Sequence, residues 1–486
     1  MKKYFLITFL LIAGTLMTVH LHAQNKENEL PNIVLFIGDD IGWDDIGCYG
    51  NKQVQTPNID RIAQEGIRFT NVFLTASSCS PSRCSIISGR YPHNTGAPEL
   101  HMGLPPEVPL FPEILNNAGY YTAHAGKWHM GDSAKRSFDV IHENREKNGD
   151  GGEEMWLTTL QDRPKEKPFF MWFASYDAHR PWGPNIFTRS HDPSIISLPV
   201  YHANTEKTRV DHAKYFDEIK RFDYYIGKIQ EELKRQGVLK NTIILIMSDN
   251  GRPFPRDKTR VYDSGMKTPF IIRWDNGINK KGIVCKSLIS AIDLAPTIIE
   301  LARGKSPDSF QGRSFAHVIK NPESKFRNYI FAEHNWHDYE AMERMVRTKE
   351  FMYVLNLRPS LSNTGAADVT GSPSFQELRV LRDSGKLSAA QSDVFIKPRP
   401  FEELYNCLKD SFQLLNIASI PEYAGKLEEL RHVMDIWRIK TADTTPDVLT
   451  KDWFNRETGT LLPGKKLRGE MPGGKKAISI TAGGPF

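Results

Sequence analysis

The sequence predicts an α/β fold: a large, mostly parallel sheet flanked by helices, followed by a smaller α+β domain built on an antiparallel sheet. Three observations carry that expectation. Continuous apolar runs of strand length recur at residues 32–37, 169–175 and 241–248. Stretches with helical periodicity separate them, as a parallel sheet with crossover helices requires. Beyond about residue 325 the pattern changes to short strands close together in sequence. With 486 residues there is enough chain for two such units.

Met1-Lys2-Lys3, the apolar run from Tyr4 to Met17 and Ala23-Gln24 read as a secretory signal peptide over residues 1–23. A periplasmic or secreted protein is expected, without a membrane anchor, because no cysteine precedes Cys48 to take a lipid. Losing Lys2 and Lys3 lowers the formal charge from +5 to +3, too small a surplus to suggest nucleic acid. The catalytic domain is expected over 24–325, the smaller domain over 326–465 and a loosely held Gly- and Lys-rich tail over 466–486.

Asn32–Ile37 is the first predicted strand and ends in Gly38-Asp39-Asp40. Thr56-Pro57 is expected to cap a short helix that buries Ile59, Ile62 and Ala63 and stops near Gly66. Pro81 suits the first turn of another helix, and residues 111–118 read as a third, ended by Gly119. The second buried strand leads to His179, and an amphipathic helix is predicted over 215–236. The third buried strand ends at Asp249-Asn250. Residues 329–332, 344–348 and 351–355 read as strands, the last two an antiparallel pair. Residues 359–398 are polar, Ser-rich and expected to be irregular, and 426–437 reads as an amphipathic helix. Ligands of open α/β sheets bind beyond the carboxyl ends of the strands, so the polar residues there are expected to meet.

The stretch Ser78-Cys79-Ser80-Pro81-Ser82-Arg83, followed by Gly89-Arg90, resembles the signature of the formylglycine-dependent sulfatases of the alkaline-phosphatase superfamily. Gly126-Lys127-Trp128-His129 and Ser248-Asp249-Asn250-Gly251 resemble further parts of it. So do His179-Arg180-Pro181 and Lys258 with Tyr262, although Asp263-Ser264-Gly265 departs from the usual Glu-Gly-Gly. The resemblance implies that a sulfatase-maturing or formylglycine-generating enzyme oxidises Cys79 to 3-oxoalanine. It implies a sulfuric ester hydrolase in which the hydrated aldehyde attacks sulfur and a sulfo-enzyme forms and breaks down. Asp39, Asp40, residue 79, Asp249 and Asn250 would hold Ca²⁺ in preference to Mg²⁺, consistent with their oxygen donors. Arg83 and Lys127 would neutralise sulfate, His129 would serve the nucleophile, and His179 or Lys258 would protonate the leaving group.

Several stretches, including Asp249 to Pro255 and Phe401 to Tyr405, look most like the sulfamidase branch, which removes N-sulfate from glucosamine. Trp128 and Lys258 look more like ester sulfatases. The expected substrate is therefore a sulfated oligosaccharide, either algal (ulvan or carrageenan) or a glycosaminoglycan. A phosphonate or phosphate monoester hydrolase and an inactive glycan-binding protein are the competing readings. His337, Arg344 and Trp182 are candidate substrate contacts. The pairing of Cys48, Cys84, Cys285 and Cys407 is open.

Overall fold

The computed structural model describes residues 29–486; the expected signal peptide lies outside them. The strands in chain order are β1 Asn32–Gly38, β2 Ile67–Phe69, β3 Val72–Phe73, β4 Tyr121–Gly126, β5 Val140–His142, β6 Phe169–Ala174 and β7 Thr242–Ser248. They continue as β8 Phe270–Arg273, β9 Ile283–Cys285, β10 Ile289–Ser290, β11 Ile330–His334, β12 Glu343–Arg347, β13 Phe351–Asn356 and β14 Glu402–Asn406. The large sheet has the order β5-β4-β6-β1-β7-β8-β2-β9, and β3 with β10 forms a two-stranded parallel pair. Only β8 runs against its neighbours in the large sheet.

β1 sits at the centre, pairing with β6 and β7 in parallel, and all seven of its residues are buried. Alternation divides the sheet's side chains between two cores. Ile33, Leu35 and Ile37 join Phe170, Trp172 and Leu245 on the face covered by the helices Cys79–Ser88, Phe111–Asn117 and Leu294–Leu301. Val34 and Phe36 join Met171, Phe173 and Ile246 under the helices Pro57–Gln64 and Glu206–Arg235. Burial on both faces explains why these strands read as unbroken apolar runs rather than alternating ones.

The long helix begins at Glu206, nine residues before the predicted start. Its first turns carry Thr208, Asp211 and His212, which are polar yet buried, so apolar periodicity misses them. Thr56 does not cap the short helix: its hydroxyl instead accepts from the Gly47 N–H at 2.8 Å.

The second sheet is antiparallel, in the order β11-β12-β13-β14. The helix Ala424–Thr441 covers it, placing Leu430, Met434 and Trp437 against Phe331, Val346 and Tyr353. Residues 359–398 are not irregular: they hold the helices Ala367–Thr370 and Pro373–Asp383, the latter capped by the Ser372 hydroxyl. Phe375 and Leu378 pack there with Ala203 in a small core of their own. The C-terminal segment, expected to be loosely held, makes contacts with the body of the fold. Arg90 donates to the carbonyls of Ile478 and Ile480, both at 2.7 Å, and the Arg327 guanidinium lies over the Phe486 ring. All five cysteines are free thiols.

Candidate active site

The site is assembled by register. Gly38 of β1 pairs with Ser248 of β7, so Asp39-Asp40 and Asp249-Asn250 emerge side by side. Ile37 pairs with Ala174 of β6, which pairs in turn with Gly126 of β4. That alignment delivers His179 and Lys127 to the same sheet edge. Gly126 is obligatory there: at φ +103°, a Cβ would lie 1.8 Å from the Ala174 carbonyl oxygen.

Cys79 opens the helix Cys79–Ser88, two residues earlier than Pro81 implied. Pro81 is tolerated because the first-turn N–H groups have no partner within the helix. One turn on, Arg83 is wholly buried: Nε donates to Asp249 Oδ2 at 2.7 Å and Nη1 to the Lys127 carbonyl at 2.9 Å. Its Nη2 lies 3.7 Å from Asp39 Oδ1. Lys127 Nζ is ion-paired with Asp39. Lys258 Nζ binds Asp40 Oδ2 at 2.7 Å and Asp368 Oδ2 at 3.1 Å. His179 Nε2 stands 3.8 Å from Asp40 and 3.7 Å from Asp368. Cys79 Sγ lies 3.8 Å from Asp40 Oδ1.

Burial would raise the Asp39 carboxyl, but Lys127 heads the charges that hold it below its ordinary range. Burial pushes Asp249 up, against the pull of Arg83. Burial also drives the Cys79 thiol well above its ordinary range, despite Lys127 and Lys258, so an unmodified Cys79 stays a neutral thiol. Burial works against the Lys258 ammonium, yet Asp368 and Asp40 keep its proton on far above the ordinary lysine range. His129 is pushed well below the usual histidine range by burial and by Lys127. Its Nε2 is 2.7 Å from His101 Nδ1, while its Nδ1 is buried without a partner.

Ligand atoms of Asp39, Asp40, Cys79 and Asp249 all fall within 4.8 Å of one another. Asp39 Oδ1 and Asn250 Oδ1 are buried acceptors without a hydrogen bond. Oxygen-rich, crowded and partly unsatisfied, this set fits a hard divalent cation such as Ca²⁺.

The structure therefore brings together Asp39, Asp40, Cys79, Arg83, Lys127, His129, His179, Asp249, Asn250 and Lys258. Two further residues, His101 and Asp368, were not predicted. Asp368 comes from a polar stretch in which nothing marks one aspartate above another. His101 lies between the two motifs and belongs to neither.

Two of the expected substrate contacts are buried. Arg344 is fully buried and grips Asp443 with Nε and Nη2, both at 2.7 Å; no face of it is left for a sugar. His337 is buried too, lines a small cavity of the second domain, and bonds through Nδ1 to the Ser78 hydroxyl at 2.6 Å, which supports the helix start. Trp182 does line a cavity of about 710 Å³, and its indole N–H donates to Asp211.

A buried cation-and-carboxylate cup at the carboxyl edge of a doubly covered sheet defines a hydrolase of anionic esters. The chain belongs to the sulfatase family: residues 31–305 match the Sulfatase family model. It is accordingly a sulfuric ester hydrolase. It is 29% identical to an ulvan-active sulfatase of Formosa agariphila, an alignment covering 89% of this chain and 79% of that one. It is 27% identical to human N-sulphoglucosamine sulphohydrolase over 85% of this chain and 90% of that one. Its fold matches a structure solved with the substrate D-glucosamine-2-N,6-O-disulfate, with a TM-score of 0.67 and 22% identity over 85% of this chain and 98% of that one. Among the described residues no helix is long and apolar enough to cross a membrane.

Proposed function

We propose that this chain is an exported sulfatase that removes sulfate from sulfated glycan oligosaccharides once Cys79 has been converted to formylglycine. The observation that carries the reading is the convergence on Cys79 of two buried cations, Arg83 and Lys258, and the half-buried Lys127, with the carboxylates Asp39, Asp40 and Asp249. The relatives acting on ulvan and on N-sulfoglucosamine support a glycan substrate.

Formylglycine supplies, as its hydrate, a hydroxyl nucleophile and a second hydroxyl whose deprotonation expels sulfate. Asp39, Asp40, Asp249 and Asn250 would hold Ca²⁺, which would supply Lewis acidity toward the sulfate. The chain's own groups do the rest. Lys127 and Arg83 are fixed cations that stabilise charge on the transferring group in a site sheltered from water. His129 is neutral at pH 7, so its unpartnered Nδ1 is free to take a proton, and His101 holds the ring from the other side. Lys258 keeps its proton and, with His179, stands on the side of the leaving sugar oxygen or nitrogen.

The test is free sulfate released by enzyme co-produced with a formylglycine-generating enzyme. Substrates are N-sulfated glucosamine oligosaccharides, ulvan and carrageenan oligosaccharides and an aryl phosphonate. Sulfate from one of the glycans, abolished by Cys79→Ala with the fold intact, is expected. Turnover of the phosphonate alone, or an active Cys79→Ala variant, overturns the reading.

A further inference from the structure

The 710 Å³ cavity opens beside the cup and belongs to none of the chemistry above. Its lining includes Asp368, whose Oδ2 is 3.1 Å from Lys258 Nζ and 3.7 Å from His179 Nε2. Whatever fills the cavity therefore lies on the leaving-group side. Pro181, Trp182, Val210 and Pro373 form an apolar wall of the kind that suits the carbon face of a sugar ring.

The charges around that wall are almost all committed. Arg180 binds both oxygens of Asp211, at 2.8 and 2.6 Å, and that carboxylate also accepts from Trp182 and Ser374. Lys207 pairs with Glu377 at 2.9 Å. Lys214 is the exception: it lines the cavity, is exposed, and has no hydrogen-bond or ionic partner among the described residues. Val210 and Lys214 stand one turn apart on the helix Glu206–Arg235, so they share a face. Glu206, the remaining acid on the wall, lies about 12 Å further along the helix axis, too far to neutralise Lys214.

We propose that this cavity is a second saccharide subsite, which holds the sugar next to the sulfated one and selects for an anionic group on it through Lys214. The inference rests on the sulfated-glycan reading above. It narrows the substrate to oligosaccharides with a carboxylate or second sulfate one sugar removed from the reacting ester, and it gives the wall a purpose separate from sulfate hydrolysis.

The probes are a sulfated disaccharide whose adjoining sugar is a uronic acid, the same disaccharide with that carboxylate reduced to an alcohol, and an aryl sulfate. Lys214→Ala is expected to lower kcat/KM on the uronate disaccharide about fivefold or more through KM, the scale of one partly exposed ionic contact. The reduced disaccharide and the aryl sulfate should be turned over as by wild type. A second sulfate in place of the uronate should show the same lysine dependence if either anion serves, and none if the subsite reads carboxylate alone. Equal losses on all probes, or no loss on any anionic disaccharide, overturn the subsite. Should wild type release sulfate from no probe, the functional reading fails by itself, and the subsite is then read by calorimetric binding of the uronate disaccharide. Weaker binding to Lys214→Ala sustains it, and equal or absent binding to both proteins refutes it.

Discussion

Replacing Arg344 by alanine separates a structural arginine from a substrate contact. The guanidinium is wholly buried and donates twice to Asp443 at 2.7 Å and once to the Glu343 carbonyl at 2.8 Å, with Glu333 3.7 Å away. Asp443 follows the helix Ala424–Thr441, so the pair ties the second sheet to the helix that covers it. Removing Arg344 leaves the buried Asp443 carboxylate with only the longer contact from Arg438 Nε, at 3.1 Å, a loss of about 3–5 kcal/mol. For a chain of this length unfolding as one unit, that is a fall in Tm of roughly 1 °C per kcal/mol, or about 3–5 °C. Thermal unfolding followed by circular dichroism reads the shift, and sulfate release assayed well below Tm reads function. KM is expected to stay at the wild-type value. Adding Asp443→Leu to Arg344→Met should restore part of the lost stability, because the buried carboxylate is then gone and Arg438, which loses its contact, can turn to solvent. An unchanged Tm with a raised KM would refute the reasoning and return Arg344 to the substrate.

Asp249→Ala should lower bound calcium and sulfate release together, activity by about 100-fold or more, as measured by elemental analysis of the purified protein beside the sulfate assay; full calcium occupancy in the variant contradicts the ligand set. Asp223 bears on the pH dependence of stability. Burial pushes its carboxyl up to about 6, although it accepts from the Asn58 and Ile59 backbone N–H groups and the Asn58 side chain. Because its folded value lies above its unfolded one, its stabilising contribution is present in acid and is lost as pH rises through about 6. The Tm of wild type should therefore fall relative to Asp223→Asn between about pH 4 and 6; parallel Tm profiles would show that the carboxyl is not so perturbed.

Much of the architecture could be read from the chain because its central strands are buried on both faces. β1, β6 and β7 leave runs of apolar residues that no surface element would carry, and each ends abruptly in a polar group. The site is legible for the same reason: Asp39, Lys127, His179 and Asp249 each follow a strand, and Cys79 starts a helix. What could not be read depends on contacts across long sequence separations. Arg344 sits in Glu-Arg-Met-Val-Arg, an alternation that looks the same whether its arginine meets a sugar or an aspartate 99 residues on. Asp368 becomes part of the cup only because a short helix within a polar stretch turns it toward Lys258. The early turns of the long helix were hidden because they bury polar side chains, whose partners lie elsewhere in the chain.

The clamp between Arg90 and the carbonyls of Ile478 and Ile480 bears on the order of events in biosynthesis. Arg90 comes just after the helix that begins with Cys79, and besides the carbonyls of Asn94 and Ser309 it binds two that are made nearly 400 residues later. While the chain is still being synthesised, the segment around Cys79 lacks its final brace. In the finished protein Cys79 is sealed, with only 2% of its surface reachable. On the proposed formylglycine reading, a maturation enzyme acting on the thiol would have that interval to work in. A shortened or bulky C-terminus would alter the timing of closure as well as the stability of the finished fold, so expression tags are better kept away from that end.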